Sequence, residues 1–296
     1  MSTGLREHDR TLLQPDGVSL HYRIHRSPAA RGALVLLHGA ASNLTRWTEF
    51  FEHTSLAASH HLLRLDLRGH AGSLTRGRLG LERWADDIAA VLRQEQIERA
   101  VVGGHCLGAN IAAWFAARHP GQAAGLILIE PMLRPALTGT MSRLKRLAPL
   151  LRVAIALVRL VNAMGLHRRH LDTLDLQLLD REFRQHLQHP GGADALIQRY
   201  ASPLHDLKTM PTANFLQDLV EVTRRLPLTE IRAPFLALLS GGRTFTDPDI
   251  TRRLLAALPG GEIQELDAKH WIPTEQPEAM RRAIERWVTA LPPRTS

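Results

Sequence analysis

Val101-Val102-Gly103-Gly104-His105-Cys106-Leu107-Gly108-Ala109-Asn110 is the stretch that decides how this chain folds. Its apolar start predicts a short strand, Ala100–Val102, and Leu107–Arg118 reads as a helix closed by His119-Pro120-Gly121. Between them stands Gly-x-Cys-x-Gly. Glycines two positions either side of a nucleophile let the backbone turn sharply and bring strand and helix together. The nucleophile is then held strained at the top of a sheet. It also lies at a helix N-terminus, where backbone N–H groups favour negative charge. That matters for a cysteine, because the thiolate is its reactive form. Cys106 is the only cysteine in the chain. Most lone cysteines are inert core residues, but the place of this one at the centre of the turn argues for chemistry.

Outward from the turn, strand and helix alternate. Ala33–Leu37, His61–Leu67, Gly125–Ile129, Pro234–Leu239 and Glu262–Leu266 are short apolar segments, as a sheet covered on both faces requires. Gly17–Ile24 alternates apolar and polar residues after a Pro-Asp-Gly turn and reads as an edge strand. Glu82–Gln94 and Pro277–Leu291 have helical spacing. The pattern predicts an α/β fold, with a mostly parallel central sheet and helices on both faces. From Pro131 to Leu228 the alternation stops and only helices are expected. The predicted organisation is therefore 1–131 for the N-terminal part of the core, 132–228 for an inserted helical cap, and 229–296 for the C-terminal part. Within the cap, Leu144–Leu166 is the most apolar piece and carries Lys145, Arg152 and Arg159 at seven-residue spacing. Its arginines are read as solvated and its apolar face as lining a pocket, with contact to a lipid surface as the alternative.

Composition narrows the function classes. The opening MSTGLREHDR has no apolar core of a secretory leader, and no run approaches the ~18 apolar residues that a spanning helix needs, so no stable membrane insertion is expected. A single cysteine forms no internal disulfide and fits a reducing compartment, so the expected location is cytoplasmic. The formal charge of +8 comes almost wholly from arginine, spread along the chain with no basic tail and no alternation with aromatics. No nucleic-acid partner is expected from it, whereas attraction to anionic substrates or membrane surfaces stays open. His60-His61 and His167–His170 lack cysteine or carboxylate partners at ligand spacing, so no metal site is expected. Gly103-Gly104 belongs to the turn rather than to a phosphate loop, and the chemistry requires no cofactor.

Four motifs stand in order at the ends of predicted elements: His38-Gly39-Ala40, Asp66-Leu67-Arg68-Gly69-His70, Gly104-His105-Cys106-Leu107-Gly108, and His270 before the last helix. On these the chain closely resembles the α/β-hydrolase family, in a branch whose nucleophile elbow carries cysteine. The resemblance covers nearly everything outside the cap. It implies Cys106 as nucleophile and His270 as general base, with the backbone N–H groups of Ala40 and Leu107 forming an oxyanion hole. Asp66, Arg68 and His70 resemble the family's loop-bracing residues. Glu275-Gln276-Pro277 matches the acid-then-proline pattern that follows the base. Lys269 departs from the more usual glycine, and a cation there could help hold the thiolate. The acid of the triad is open between two residues. Asp247 follows the strand after which the family usually carries its acid, but it also suits the N-cap of a helix starting at Pro248. Glu130 ends the strand Gly125–Ile129, a position that some members use, and is placed ahead.

Such a site implies a hydrolase of carboxylic esters or thioesters working through a Cys-His-acid triad and a covalent acyl-enzyme. The partner would be a small-molecule acyl ester or thioester. Thiolate–thioester exchange is close to thermoneutral, which favours thioester donors. Two alternatives are an acyltransferase using the same acyl-cysteine, as in the polyhydroxyalkanoate synthases, and a ligand-binding homologue without catalysis. Nothing in the pattern specifies an oligomeric state.

Overall fold

Strands built from consecutive apolar residues need cover on both faces. In the computed structural model, which describes residues 5–186 and 202–292, they have it. Eight strands form one sheet: β1 (Glu7–Leu13), β2 (Ser19–His25), β3 (Gly32–Leu37), β4 (His60–Leu65), β5 (Ala100–His105), β6 (Ala123–Ile129), β7 (Phe235–Ser240) and β8 (Gly261–Leu266). Their order is β1-β2-β4-β3-β5-β6-β7-β8. The pairs β1–β2 and β2–β4 are antiparallel and all the others are parallel. The helices are α1 (Thr48–His53), α2 (Leu81–Gln94), α3 (Leu107–Arg118), α4 (Gly139–Ala163), α5 (Leu176–His186), α6 (Pro203–Thr209), α7 (Thr212–Val222), α8 (Pro248–Ala256), α9 (Ile272–Glu275) and α10 (Pro277–Ala290).

Alternation along each strand sorts its side chains between two cores. Val35 and Leu37 of β3, with Leu126 and Leu128 of β6, join Trp84 and Ile88 of α2 and Phe115 of α3. Leu34, Leu36, Ile127 and Ile129 point the other way, to Phe50 and Phe51 of α1 and Ile284 and Trp287 of α10. Each such side chain, fully buried, contributes about 1.5–3 kcal/mol. Between β6 and β7 the described elements are the helices α4 to α7 and short 3-10 turns. Residues 187–201 of the expected cap lie outside the described residues.

One expectation needs correction. Gly17–Ile24 is not the edge strand: β1 lies outside it, paired along its full length from Glu7↔His25 to Leu13↔Ser19. Most of β1 is exposed on both faces, so its sequence carries no apolar alternation to betray a strand.

The turn at Cys106 depends on contacts that no larger residue permits. A Cβ on Gly104 would lie 2.4 Å from the carbonyl carbon of Gly108, and one on Gly108 would lie 2.4 Å from the Leu37 carbonyl oxygen. All these neighbours are backbone and cannot step aside. Cys106 itself adopts φ 54, ψ −112, and its N–H donates to the Ile129 carbonyl at 2.9 Å. Gly108→Ala is therefore expected to lower stability by about 3 kcal/mol in urea unfolding, at the upper end of overpacking costs. Gly121→Ala is the control, since a Cβ there meets nothing within 4 Å and should cost little. Equal effects of the two would contradict this account of the turn.

Candidate active site

The side chain of Cys106 stands above the parallel strands, at the N-terminus of α3. His270 comes from the loop after β8, and Glu130 from the end of β6. The structure brings these three together. His270 Nδ1 lies 3.0 Å from Glu130 Oε2, with both side chains at most 5% exposed. Cys106 and His270 line the same cavity, and Cys106 is close enough to the imidazole to raise its pKa. The second carboxylate oxygen of Glu130 accepts the Ser240 N–H at 2.5 Å, which fixes the carboxylate plane. Glu130 has φ 50, a left-handed conformation unusual for a residue with a side chain. Together with Cys106 (φ 54) and Ala41 (φ 47), it makes three strained residues around one point. Clustered strain of this kind, about 1–3 kcal/mol per residue, marks sites where geometry outranks stability.

The loop bearing His270 is held from below by Glu275. Its carboxylate accepts three consecutive backbone N–H groups: Lys269 at 2.9 Å, His270 at 3.1 Å and Trp271 at 2.8 Å. Gly242 packs so tightly on this loop that a Cβ there would lie 2.1 Å from the Lys269 carbonyl oxygen. His105 Nε2 lies 2.9 Å from the His270 carbonyl, and Phe245 meets the His270 ring edge-on at 4.8 Å. Burial alone would push the His270 pKa down. Its hydrogen bonds to Cys106 and Glu130, and their negative charge, outweigh burial and push it up to about 10. His105, buried beside it with no carboxylate, is driven well below the ordinary value by desolvation.

Asp247 is not brought to His270. It caps α8, its Oδ1 accepting from the N–H groups of Asp249 (3.0 Å) and Ile250 (3.1 Å), while Oδ2 takes Arg243 at 2.8 Å. Both oxygens are thus engaged locally. Ala40 and Leu107 flank Cys106 on the β3 loop and at the first turn of α3. Among the described residues neither backbone N–H has an acceptor.

The neighbouring loops are tied by polar contacts between residues far apart in sequence. His38 Nε2 accepts the Leu67 N–H at 3.0 Å, so Nδ1 carries the proton and donates to the Gly39 carbonyl at 2.8 Å. That neutral tautomer agrees with a pKa driven to about 3, by burial first and then by the charge of His70. Asp66 accepts the N–H groups of Leu44 and Gly72, and Arg68 pairs with Asp87 through two bonds of 2.8 and 2.7 Å. His70 Nε2 reaches Asp218 of α7 at 2.8 Å, and the same Asp218 oxygen accepts the Ala41 N–H at 3.2 Å. Arg46 and Asp180 of α5 form a buried pair at 2.8 Å, shared with Thr274.

Above Cys106 and His270 opens a cavity of about 440 Å³, walled by Met141, Leu144, Leu179, Phe215, Leu219 and Phe245. Ser42, Arg46, His205 and Asp206 supply most of its polar lining. Ser42 Oγ and His205 Nε2 are buried without a partner among the described residues. Asp206 is pushed up to about 7 by burial, with the charge of Asp218 adding to it. These polar groups were not singled out in the sequence, where nothing distinguishes them from ordinary surface residues. Among the described residues no group of three or more histidine, cysteine or acidic side chains is placed to hold a metal ion.

The matches to known proteins agree with this architecture. The family model described as "Alpha/beta hydrolase family" matches residues 34–283. A dihydrolipoyllysine-residue acetyltransferase component of an acetoin cleaving system, from Pseudomonas putida, is 35% identical over 99 residues. That match takes in 32% of this chain and 26% of the relative, so the chain spans only about a quarter of it. A pimeloyl-[acyl-carrier protein] methyl ester esterase from Neisseria meningitidis is 28% identical over 243 residues, covering 80% of this chain and 85% of the relative. Among solved structures, the enol-lactonase from Burkholderia xenovorans superposes with a TM-score of 0.67 at 17% identity, covering 95% of this chain and all of the other. With the family model covering most of its length and the sheet, elbow and loop geometry in place, the chain belongs to the alpha/beta hydrolase family.

Proposed function

We propose that the protein hydrolyses a carboxylic ester or thioester through a covalent acyl-cysteine, with Cys106 as nucleophile, His270 as base and acid, and Glu130 as the orienting carboxylate. The observation that carries this reading is His270, bonded to Glu130 through Nδ1 and sharing with Cys106 the floor of an apolar cavity. In the cycle Cys106 reacts as the thiolate, its proton passed to His270, whose pKa is pushed up to about 10. The thiolate attacks the acyl carbonyl carbon, forming a C–S bond, and the oxyanion is received by the N–H groups of Ala40 and Leu107. Collapse breaks the bond to the leaving alcohol or thiol, which takes the proton from His270. Neutral His270 then accepts a proton from water as its oxygen attacks the thioester, and the second tetrahedral species expels the Cys106 thiolate with the carboxylate product.

Supporting Glu130 over Asp247 is what each carboxylate already does. Glu130 faces Nδ1 of the base, whereas both oxygens of Asp247 are spent on a helix cap and Arg243. The helices inserted between β6 and β7 serve in this reading as a cap that shapes the acyl pocket. The relative named as a methyl ester esterase supports ester chemistry for this chain. Ser42 Oγ and His205 Nε2, without a partner among the described residues, suit a substrate whose apolar portion bears a hydrogen-bonding group.

Three variants test the assignment on an activated short-chain ester and its thioester counterpart. Cys106→Ala should abolish turnover. Glu130→Gln, which keeps the shape but loses the charge that orients His270, should lower kcat by about a thousandfold. Asp247→Ala should leave kcat near wild type, with only a small loss of stability. A large loss in Asp247→Ala with Glu130→Gln unaffected would reverse the assignment of the acid.

His270 also predicts a pH dependence of stability. Its pKa in the fold, about 10, lies above the ordinary 6.5. The stability gained from its protonated form is present in full below pH 6.5 and is lost as the pH rises toward 10. The wild-type urea midpoint should fall across that window, and Glu130→Gln should flatten part of the fall. A wild-type midpoint that does not change there would contradict the coupling.

A further inference from the structure

The arginines are distributed along the chain, but the excess of positive charge is not. Residues 131–171 contain Arg134, Arg143, Lys145, Arg146, Arg152, Arg159, Arg168 and Arg169, and no acidic residue. Taking these eight from the 37 basic residues leaves 29, against 29 acidic ones, so the formal +8 of the whole protein resides in this one segment. Most of it is the helix α4.

That helix is apolar on two opposite sides. Leu144, Ala148 and Ile155 turn inward, with Ala148 and Ile155 buried, and Thr140, Met141 and Leu144 wall the cavity above Cys106. Leu147, Leu150, Val153, Leu157, Leu160 and Met164 recur at spacings of three and four, which places them on one face. Leu150 and Leu157 each stand two positions beyond a buried residue, roughly half a turn round the helix. This outer face is bare: Leu150 is 68% exposed, Leu157 59%, Leu160 60% and Met164 63%. Arg143 and Arg146 continue the same face at its start, whereas Lys145, Arg152 and Arg159 lie round the helix toward the side that carries Ala148 and Ile155. Arg159 has Nε and one Nη buried without a partner among the described residues. No described helix is long and apolar enough to cross a membrane, and Arg143 and Arg146 at the start of an exposed apolar face suit a helix lying along a surface instead.

We propose that the outer face of α4 docks on an anionic lipid surface, the leucines and valine seated among the acyl chains and the cations on the headgroups. The charge decides between occupants. A second copy would set cations against cations, with no acid in either segment to relieve them. An acidic protein would satisfy the charge but would not by itself account for six large apolar residues kept in water. An anionic bilayer answers both, with each nearby Lys or Arg strengthening the attraction. The inference is independent of the chemistry at Cys106.

Flotation with vesicles tests it, using the full chain with phosphatidylcholine alone and with phosphatidylcholine containing phosphatidylglycerol. The protein should float with the anionic vesicles, at least about tenfold more strongly than with the neutral ones, and less at high salt. Leu150→Ser/Leu157→Ser/Leu160→Ser and, separately, Arg143→Gln/Arg146→Gln should each weaken binding about tenfold or more. Both should keep the wild-type circular dichroism and turnover of a soluble ester. No flotation, or equal flotation with both lipids, would overturn the proposal. So would a dimer in sedimentation that the leucine variant dissociates, or binding to poly-glutamate without binding to vesicles.

Discussion

The close approach of Gly108 to the carbonyls of Leu37 and His38 is the contact on which the site depends. It lets α3 start directly above the ends of β3 and β5. Cys106 is thereby forced into a turn with φ 54 at the N-terminus of α3. Strands on either side then end at the same level. The last residues of β5 and β6 pair as His105↔Ile129, so that Glu130, one residue on, emerges beside the turn. Strain at Cys106, Glu130 and Ala41 is tolerated because each N–H is held, the first two by the carbonyls of Ile129 and Leu238 and Ala41 by the Asp218 carboxylate. The geometry is set by the sheet, and the loops inherit it.

Electrostatics at this point follow from the same arrangement. A buried imidazole between Cys106 and a carboxylate keeps its proton against the penalty of burial, while His105 and His38, buried without a carboxylate bound to the ring, are driven to the neutral form. Three histidines within one small region thus take different states according to their partners. Glu275 contributes without touching any reacting group in the proposed cycle: by gathering three backbone N–H groups it holds the loop so that the ring meets Glu130. The inserted helices are tied into the same network through Asp218 to His70 and Ala41, and through Asp180 to Arg46. These contacts join the cavity wall to the loop after β3.

Much of this was legible in the sequence. The glycines flanking Cys106 announce a sharp turn, the apolar runs announce a sheet covered on both faces, and the position of His270 before a final helix announces its place at the sheet's edge. What escaped did so for physical reasons. β1 is exposed on both faces and has no hydrophobic period to read. The sequence puts Glu130 only slightly ahead of Asp247, because which of them stands beside His270 depends on which strand ends lie side by side, and β6 and β7 are separated in sequence by the whole helical insertion. His70 and Asp218 are 148 positions apart, and their contact exists only once α7 has folded back over the sheet. Ser42, His205 and Asp206 look like surface residues until the helices enclose them. The local concentration of charge on α4 was in the sequence throughout, hidden by an even scatter of arginines whose partners lie elsewhere.

The central claim is that Cys106 becomes acylated. Intact mass of the purified protein at short times after mixing with an activated acyl ester or an acyl-thioester tests it most directly, with Cys106→Ala run in parallel. The account predicts a transient mass increase equal to one acyl group, confined to the wild type and decaying in water as free acid appears. Turnover without any adduct, or an adduct of the same size in Cys106→Ala, would contradict it.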